Sequence, residues 1–174
     1  MQLKDKTAII TGGGSGFGAS MADLFAKNGA KVIVADLNLD NANKVATQMG
    51  GFPVQVDVGN SASVEQMKVA VFKEYQKVDI LVNNAGISDG GKALDDVTES
   101  DWDRVMDLNI KSIYFLIQAF LPYFRVNCSP EAPKKVINIA SIDGCGKINP
   151  DYNFSYGASK AGFCLLYTSP SPRD

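Results

Sequence analysis

The residues best suited to chemistry are Tyr156 and Lys160, which lie four positions apart in the segment YGASK. On a helix, residues four apart project from the same face. A lysine ammonium beside a phenol favours the phenolate, and such a tyrosine can take the proton of an alcohol or return it to a carbonyl oxygen. Ser141, which follows an apolar run, can hydrogen-bond the same oxygen and stabilise its developing charge. Because a Tyr–Lys pair alone is common on protein surfaces, this chemistry needs support from the rest of the chain.

A glycine-rich segment, TGGGSGFG at positions 11–18, joins the first apolar run to the first helical pattern. Glycines permit a tight turn and let the backbone approach a pyrophosphate, which then lies at the helix N-terminus. Asp36 closes the next apolar run, where a carboxylate can accept hydrogen bonds from both ribose hydroxyls and repels a 2′-phosphate. A glycine-rich turn can also serve packing alone. This strand–turn–helix context, together with Asp36, predicts dinucleotide binding, with NAD favoured over NADP.

Short apolar runs alternate with helical patterns along the chain, which is typical of buried parallel strands joined by crossover helices. Right-handed crossovers then predict an α/β fold of the Rossmann type, a doubly wound parallel sheet. The runs lie at residues 6–11, 31–36, 52–57, 79–84 and 135–140. A long helical stretch is expected from about Ser100 to Phe124, with a stripe at Trp102, Val105, Met106, Asn109 and Ile113. This stripe predicts that Trp102 lies in the core.

Three polar residues fall at the ends of predicted strands or directly after them: Asp36, Asn83 and Ser141. In open α/β sheets, ligands bind outside the carboxyl ends of the strands. The sequence therefore predicts that ligand-binding residues gather at this edge of the sheet.

Composition excludes several classes of function. The 174 residues contain no histidine, which excludes a Ser-His-Asp triad and a histidine-ligated zinc, and the three cysteines lack the spacing of a metal site. A formal charge of −2 indicates no basic surface for nucleic acid. No apolar run approaches the roughly 18 residues of a membrane span, and no signal-peptide pattern is evident, so a cytoplasmic protein is expected. Four aspartates cluster around the predicted start of a helix: Asp95, Asp96, Asp101 and Asp103. Their favourable interaction with the helix dipole explains this cluster better than metal binding does.

The spacing Gly12-x3-Gly16-x-Gly18 resembles the T-G-x3-G-x-G of the short-chain dehydrogenase/reductase family. Further matches follow in the family's order: Asp57-Val58 after the third strand, N-N-A-G at 83–86, Asn109 in the long helix, Ser141 after the fifth strand, and Y-x3-K at Tyr156 and Lys160. The resemblance covers about residues 3–163. Within the family, the chain resembles 3-oxoacyl-acyl-carrier-protein reductases and sugar or cyclic-alcohol dehydrogenases.

The resemblance implies the residues of the site. The implied catalytic residues are Asn109, Ser141, Tyr156 and Lys160, with Asn109 holding a water that connects Lys160 to solvent. The implied cofactor-binding residues are Gly12, Ser15, Gly16, Phe17, Gly18, Asp36, Leu37, Asp57, Val58, Asn84, Ala85, Gly86, Tyr156 and Lys160. No metal is implied.

The implied activity is an NAD(H)-dependent interconversion of a secondary alcohol and a ketone by hydride transfer, with Tyr156 as general acid and base. The implied partners are a small alcohol or ketone substrate and further copies of the chain in a homodimer or homotetramer, without nucleic acid or membrane. Two alternatives stay open. One is a non-catalytic NAD-binding module such as a redox sensor, and the other is an inactive fragment of such an enzyme.

Two segments depart from the family pattern. The loop between Ser141 and Tyr156 is longer than usual and lies where substrate is expected. Residues 164–174 read CLLYTSPSPRD, in which Ser-Pro-Ser-Pro cannot continue a helix. We therefore expect a family domain over residues 1–163, a foreign tail over residues 164–174, and a sheet that is incomplete at the C-terminus. A chain of this extent is not expected to be an active enzyme.

Overall fold

The computed structural model describes the backbone of residues 2–145 and 154–168, and side chains as far as Cys164. The chain divides into two compact units. The first comprises residues 1–85 and 114–139, and the second comprises residues 86–113 and 140–174. Most of the loop that was predicted to be long (146–153) and the end of the predicted tail (169–174) lie outside the described residues.

The first unit is built on a five-stranded sheet whose strands run parallel. The strands are β1 Thr7–Thr11, β2 Lys31–Asp36, β3 Phe52–Gln55, β4 Ile80–Asn83 and β5 Lys135–Asn138. Their order across the sheet is β3-β2-β1-β4-β5, so the strand order reverses between β1 and β4, where α/β sheets bind ligands. The predicted parallel α/β sheet is confirmed, and the ends of each predicted strand differ by no more than two residues.

The helices in chain order are α1 Gly16–Lys27, α2 Leu39–Met49, α3 Ser61–Glu74, α4 Glu99–Met106, α5 Ser112–Asn127 and α6 Phe154–Thr168. Single turns of other helix types occur at Leu94–Asp96 and Ile142–Cys145, which are 3-10, and at Asp107–Lys111, which is π. Helices α1, α2, α3 and nearly all of α5 belong to the first unit, while α4 and α6 belong to the second. Among the described residues, no helix combines the length and the apolar character needed to cross a membrane.

The local sequence explains where the helices of the first unit start and stop. Asn38 caps α2 by accepting the N–H of Asn41, and Asn60 caps α3 by accepting the N–H of Ser63. Gly50 ends α2 with a φ of 67°, a left-handed conformation that favours glycine. Strands β1, β2 and β4 are almost wholly buried, which explains why they read as continuous apolar runs. The connections after β1, β2 and β3, which carry predicted cofactor residues, are two to five residues long.

A buried ion pair joins the amino ends of three strands. Asp79, directly before β4, accepts hydrogen bonds from the N–H of Thr7 at 2.9 Å and from Nζ of Lys134 at 3.0 Å, and Lys77 lies 3.7 Å away. Burial raises the pKa of Asp79, but the bonds from Thr7 and Lys134 and the charges of both lysines outweigh it, so this pKa lies below its usual value. The ion pair lies at the end of the sheet opposite the predicted ligand edge.

Helix α4 of the second unit begins at a capping box. Thr98 accepts the N–H of Asp101, and the Asp101 carboxylate accepts the N–H of Thr98. Nζ of Lys92 lies 2.6 Å from the same carboxylate, and its hydrogen bond, together with those from Thr98, holds the pKa of Asp101 well below its usual range. One member of the predicted acidic cluster therefore serves a helix N-terminus, as the sequence indicated.

The long helical stretch differs from its prediction in two respects. The π turn Asp107–Lys111 separates α4 from α5, and such turns are frequent at functional sites. The prediction that Trp102 lies in the core is wrong, because its side chain is 40% exposed, whereas Val105 is fully buried. Three residues advance a helix by about 300°, so Trp102 lies about 60° around α4 from Val105, at the edge of the buried face. A large ring at that edge keeps part of its surface in solvent.

Candidate active site

The glycine-rich turn after β1 ends at Gly18, where close contacts leave no room for a side chain. A Cβ on Gly18 would lie 2.0 Å from the carbonyl oxygen of Gly12, so only glycine fits there. Gly12 and Gly16 have φ values of 61° and 51°, in the left-handed region that favours glycine. A Cβ on Gly16 would meet no atom within 4 Å. The turn therefore presents bare backbone to open space at Gly16.

The N-terminus of α1, which starts at this turn, has the properties of an anion site. The first N–H groups of a helix have no partner within the helix, and the helix dipole is positive at this end. The side chain of Ser15 makes no capping hydrogen bond, and the first turn contains no acidic residue. Phe17 is 83% exposed. This end of α1 can therefore accept a pyrophosphate.

Asp36 ends β2, and two backbone N–H groups hold its carboxylate. Gly14 donates to Oδ2 at 2.8 Å, and Asn38 donates to Oδ1 at 2.9 Å. An ionised carboxylate has about four acceptor positions, so each oxygen can accept a further hydrogen bond. Leu37, the next residue, is exposed. Held in this orientation, the carboxylate can accept hydrogen bonds from two neighbouring hydroxyl groups.

Asp57 and Val58 form the turn that leads from β3 to α3. Oδ1 of Asp57 accepts the N–H of Gly59 at 2.9 Å, and the N–H of Asp57 donates to Oγ of Ser63 at 2.9 Å. Val58 is buried, whereas Asp57 is exposed. The turn therefore holds the Asp57 carboxylate at the surface, where it can accept a hydrogen bond from an adenine amino group.

Thr11 and Asn84 join the glycine-rich turn to the loop after β4. Oγ1 of Thr11 accepts the N–H groups of Asn84 at 3.1 Å and Ala85 at 3.2 Å, and it donates to the carbonyl of Val82. Nδ2 of Asn84 donates to the carbonyl oxygens of Thr11 at 2.9 Å and Gly12 at 3.1 Å. Both amide hydrogens of Asn84 are used in this way. A cofactor contact from this residue is therefore left to its oxygen atoms.

In the second unit, Tyr156 and Lys160 lie one turn apart on α6. Nζ of Lys160 is 5.6 Å from the centre of the Tyr156 ring and 5.9 Å from that of Phe163. Lys160 is 4% exposed, and burial lowers the pKa of its ammonium, an effect that Cys164 partly opposes. Because burying a cation is costly, these residues are not an ordinary surface pair. The sequence-based prediction that they lie together is confirmed.

Asn109 lies in the middle of the π turn and is bonded on two sides. Its Oδ1 accepts the N–H of Ile87 at 2.9 Å, and its Nδ2 donates to the carbonyl of Ile87 at 2.8 Å. The same Nδ2 donates to Oγ of Ser159 at 3.0 Å, and Ser159 donates to the carbonyl of Tyr156 at 2.7 Å. Asn109 thereby joins residue 87 to the turn of α6 that carries Tyr156. Only one acceptor position of its Oδ1 remains for a water.

Gly86 closely approaches this group. A Cβ at this position would lie 3.2 Å from Oδ1 of Asn109 and 3.8 Å from Nζ of Lys160. A side chain on residue 86 would therefore press on Asn109 and displace it. The predicted cofactor residue Gly86 thus lies beside two of the predicted catalytic residues.

Ser141 directly precedes the 3-10 turn Ile142–Cys145, which packs on α6. A Cβ on Gly144 would lie 2.6 Å from the carbonyl carbon of Lys160, so this glycine permits backbone-to-backbone packing. Oγ of Ser141 accepts the N–H of Asp143 at 3.3 Å, which leaves its hydroxyl hydrogen to donate elsewhere. The turn that follows Ser141 is therefore held against α6, the helix of Tyr156 and Lys160.

Several polar residues of these sites were not predicted. Thr11 and Ser159 are buried and lie inside the quoted motifs, so the motifs contained the signal. Asn83 lies at the carboxyl end of β4, as predicted, and donates from Nδ2 to Oδ1 of Asn138 at 2.6 Å. Asp89 is buried in an Asp-Gly-Gly segment that indicates only a turn. Among the residues described, no group of three or more His, Cys, Asp or Glu side chains could hold a metal.

Three comparisons relate this chain to known proteins. The family profile described as short chain dehydrogenase matches residues 6–170. The 3-oxoacyl-[acyl-carrier-protein] reductase of Thermotoga maritima is 35% identical over 167 residues, which are 93% of this chain and 65% of that protein. The chain therefore spans about two thirds of the length of this curated relative.

Two solved structures also align with most of this chain. The 3-ketoacyl-(acyl-carrier-protein) reductase of Brucella melitensis, complexed with NADH, aligns with a TM-score of 0.89 and 35% identity, over 94% of this chain and 68% of that one. RhlG of Pseudomonas aeruginosa, in an active-site complex with NADP, aligns with a TM-score of 0.85 and 33% identity, over 94% of this chain and 65% of that one.

Proposed function

The chain belongs to the short-chain dehydrogenase family, and on this basis we propose that it carries the cofactor-binding and proton-transfer residues of an oxidoreductase that interconverts a secondary alcohol and a ketone with NAD(H). The first unit supplies the residues for the nucleotide, and the second supplies those for the substrate oxygen. The observation that carries the proposal is the burial of Lys160 beside the ring of Tyr156.

The residues of the first unit fit a dinucleotide. The pyrophosphate would accept hydrogen bonds from the first N–H groups of α1, next to the side-chain-free turn at Gly16 and Gly18. The ribose hydroxyls would donate to the Asp36 carboxylate, which Gly14 already orients. The Asp57 carboxylate would accept a hydrogen bond from the adenine amino group. A 2′-phosphate would lie against the charge of Asp36, so we propose NAD(H) as the cofactor, while relatives with NADH and with NADP are both known.

The side chains of the second unit would handle the proton and the substrate oxygen. The chemistry supplied by a bound nicotinamide is the transfer of a hydride to or from the substrate carbon. Tyr156 would take the hydroxyl proton during oxidation and return it during reduction. The ammonium of Lys160 would stabilise the phenolate. Ser141 would donate its hydroxyl hydrogen to the substrate oxygen.

Asn109 is proposed to support proton exchange between Lys160 and solvent. Its two amide hydrogens are used by Ile87 and Ser159, so it would hold a water through the remaining acceptor position of Oδ1 or through its backbone. Gly86 lets these groups lie close to Lys160. This assignment gives the π turn around Asn109 a function.

A non-catalytic NAD-binding module is the alternative. Such a module needs the residues of the first unit, but it has no need of a buried Lys160, whose desolvation is unfavourable. The burial of Lys160 beside Tyr156 therefore supports the catalytic proposal. We propose further that the substrate is a small alcohol or ketone, that the family domain spans residues 1–163, and that the protein assembles as a homodimer or homotetramer.

The test is turnover by the purified protein. A panel of 3-oxoacyl thioesters, polyols and cyclic alcohols is assayed with NAD(H) and NADP(H) by nicotinamide absorbance. We expect turnover of at least one compound, lost in Tyr156→Phe and kept in Tyr114→Phe, a matched change at an exposed tyrosine of α5. Tight NADH binding without turnover of any compound would favour the sensor instead.

A further inference from the structure

Asp89 is a buried carboxylate for which the proposed mechanism has no use. It is 2% exposed and lies in the loop between β4 and α4. Its Oδ2 accepts two hydrogen bonds from Ser155, from the N–H at 3.1 Å and from Oγ at 2.6 Å. Its Oδ1 accepts the N–H of Gly91 at 3.3 Å. Gly90 and Gly91 both have positive φ, 81° and 74°, and this sharp turn directs the carboxylate inward.

The partner of Asp89 is the residue directly before Tyr156. Ser155 lies in the first turn of α6, where backbone N–H groups have no partner within the helix. A carboxylate at this end is favoured both by the hydrogen bonds and by the helix dipole. Ser155 is fully buried, so the contact is shielded from solvent. Asp89 therefore fixes the start of the helix that carries Tyr156.

A second connection runs from the same loop to the same helix. Ile87, two residues before Asp89, is bonded through both its N–H and its carbonyl to Asn109, which donates to Ser159. The loop is thus joined to α6 immediately before Tyr156, by Asp89, and three residues after it, through Asn109. Two such points flanking one residue limit both the rotation and the sliding of that turn.

We propose that Asp89 is a positioning residue for catalysis, which sets the orientation of Tyr156 relative to Asn109 and Lys160 by holding Ser155. The proposal rests on the proposed function. Its effect falls mainly on the chemical step, because Asp89 belongs to the unit that carries the proton-transfer residues, whereas the proposed adenosine and pyrophosphate contacts belong to the other. Loss of Asp89 is therefore expected to lower kcat by a larger factor than it lowers NAD(H) affinity.

Three variants separate the contributions of the contact. Asp89→Ala removes all three bonds. Asp89→Asn keeps an oxygen that can accept the hydrogen bonds from Ser155, but its amide hydrogens face the N–H of Gly91. It should therefore retain part of the activity that Asp89→Ala loses. Ser155→Ala removes the Oγ bond and keeps the backbone bond. Asp101→Asn is the matched control, because Asp101 is also a capping carboxylate of the second unit but serves α4.

The readouts are kcat per NADH-binding site, KM for cofactor and substrate, and the pH dependence of kcat. For Asp89→Ala we expect a loss of kcat of tenfold or more and a displaced pH profile, because Tyr156 is no longer held beside Lys160. Asp89→Asn should fall between wild type and Asp89→Ala. The control should keep the wild-type profile. An unchanged kcat per binding site and an unchanged pH profile in Asp89→Ala would overturn the proposal.

Amide hydrogen exchange tests the structural part without relying on activity. Asp89→Ala should accelerate exchange over residues 154–160, whereas Asp101→Asn should accelerate it over α4. Unchanged exchange over 154–160 in Asp89→Ala would overturn the positioning role even if the protein turned over no substrate. Failure of the proposed function would appear differently, as a wild-type protein that has no turnover while the exchange pattern is as expected.

Discussion

The backbone N–H of Gly14 donates a 2.8 Å hydrogen bond to Oδ2 of Asp36, so the glycine-rich turn orients the carboxylate proposed to bind ribose. A Cβ on Gly14 would lie 2.9 Å from that same oxygen and 2.8 Å from Cβ of Asn41. The glycine-rich turn and the Asp36 carboxylate are therefore in direct contact, and a side chain at residue 14 would displace the carboxylate. A change at either residue should alter the selectivity for the cofactor.

Replacing Asp36 tests cofactor choice. Asp36→Ala removes the acceptor of the ribose hydroxyls and the charge that repels a 2′-phosphate. We expect the ratio of kcat/KM for NADP to that for NAD to rise at least tenfold, since hydrogen bonds to a charged group contribute about 1.5–3 kcal/mol each. Asp40→Ala, an exposed aspartate of α2, is the control. Comparable kcat/KM for both cofactors in the wild-type protein would contradict the assignment.

Two glycines of the turn should respond differently to alanine. Gly18→Ala places Cβ 2.0 Å from the carbonyl of Gly12, so the turn must distort, and both NADH affinity and melting temperature should fall sharply. Gly16→Ala meets no atom within 4 Å but adopts a positive φ, which costs roughly 1–2 kcal/mol for a residue with a side chain. NADH fluorescence titration and thermal melting measure both. Equal losses of NADH affinity and melting temperature in the two variants would mean that backbone strain, and not the steric contact with Gly12, causes them.

Tyr156 and Lys160 are expected to have separable roles. Tyr156→Phe should lower turnover by about 10²–10⁴-fold, the usual contribution of general acid–base catalysis, and leave NADH binding nearly unchanged. Lys160→Met should reduce both, because Lys160 is also one of the proposed cofactor-binding residues. Steady-state rates and fluorescence titration distinguish the two effects. Activity in Tyr156→Phe above about a tenth of wild type would require another proton donor.

The pKa of Lys160 predicts the alkaline side of the pH profile. Burial lowers the pKa of this ammonium from the usual 10.5, and the proposed role requires the charged form. Activity should therefore decline as the pH rises through a value below 10.5. Lys160→Arg keeps its charge over this range, so whatever activity it retains should lack that decline. If Lys160→Arg showed the same decline of activity at high pH, that decline would belong to the titration of another group.

The ion pair at the amino ends of the strands predicts acid sensitivity. The pKa of Asp79 is lowered in the folded state, so its contribution to stability is present above the unfolded-state pKa. It is lost as the pH falls through the folded value. Asp79→Asn should destabilise the protein at neutral pH, by about 3–5 kcal/mol for a broken buried pair, and its stability should depend less on pH. Urea unfolding at neutral and acidic pH measures this, with exposed Asp40→Asn as the control. An equal pH dependence in Asp79→Asn and wild type would contradict the assignment.

The sequence by itself determined the features that depend on local spacing. The Gly12–Gly18 turn, Asp36 at a strand end, and Tyr156 with Lys160 on one helix face each lie within a single element or one connection. Their geometry follows from the period of a strand or a helix and from the φ that glycine permits. Strands β1, β2 and β4 could be predicted because continuous apolar runs reflect burial on both faces. Strand β5 reads as equally apolar although Val136 and Ile137 are exposed.

Only the tertiary structure decided which distant residues meet. Asp89 and Ser155 are 66 positions apart, and neither residue type nor spacing indicates that the carboxylate turns inward. The side-chain amide of Asn109, in the π turn, is likewise satisfied by Ile87 and Ser159 from other segments. Trp102 proved exposed because the edge of a buried helix face is set by what packs against it. Such contacts arise from the packing of whole elements, which the period of a single segment does not contain.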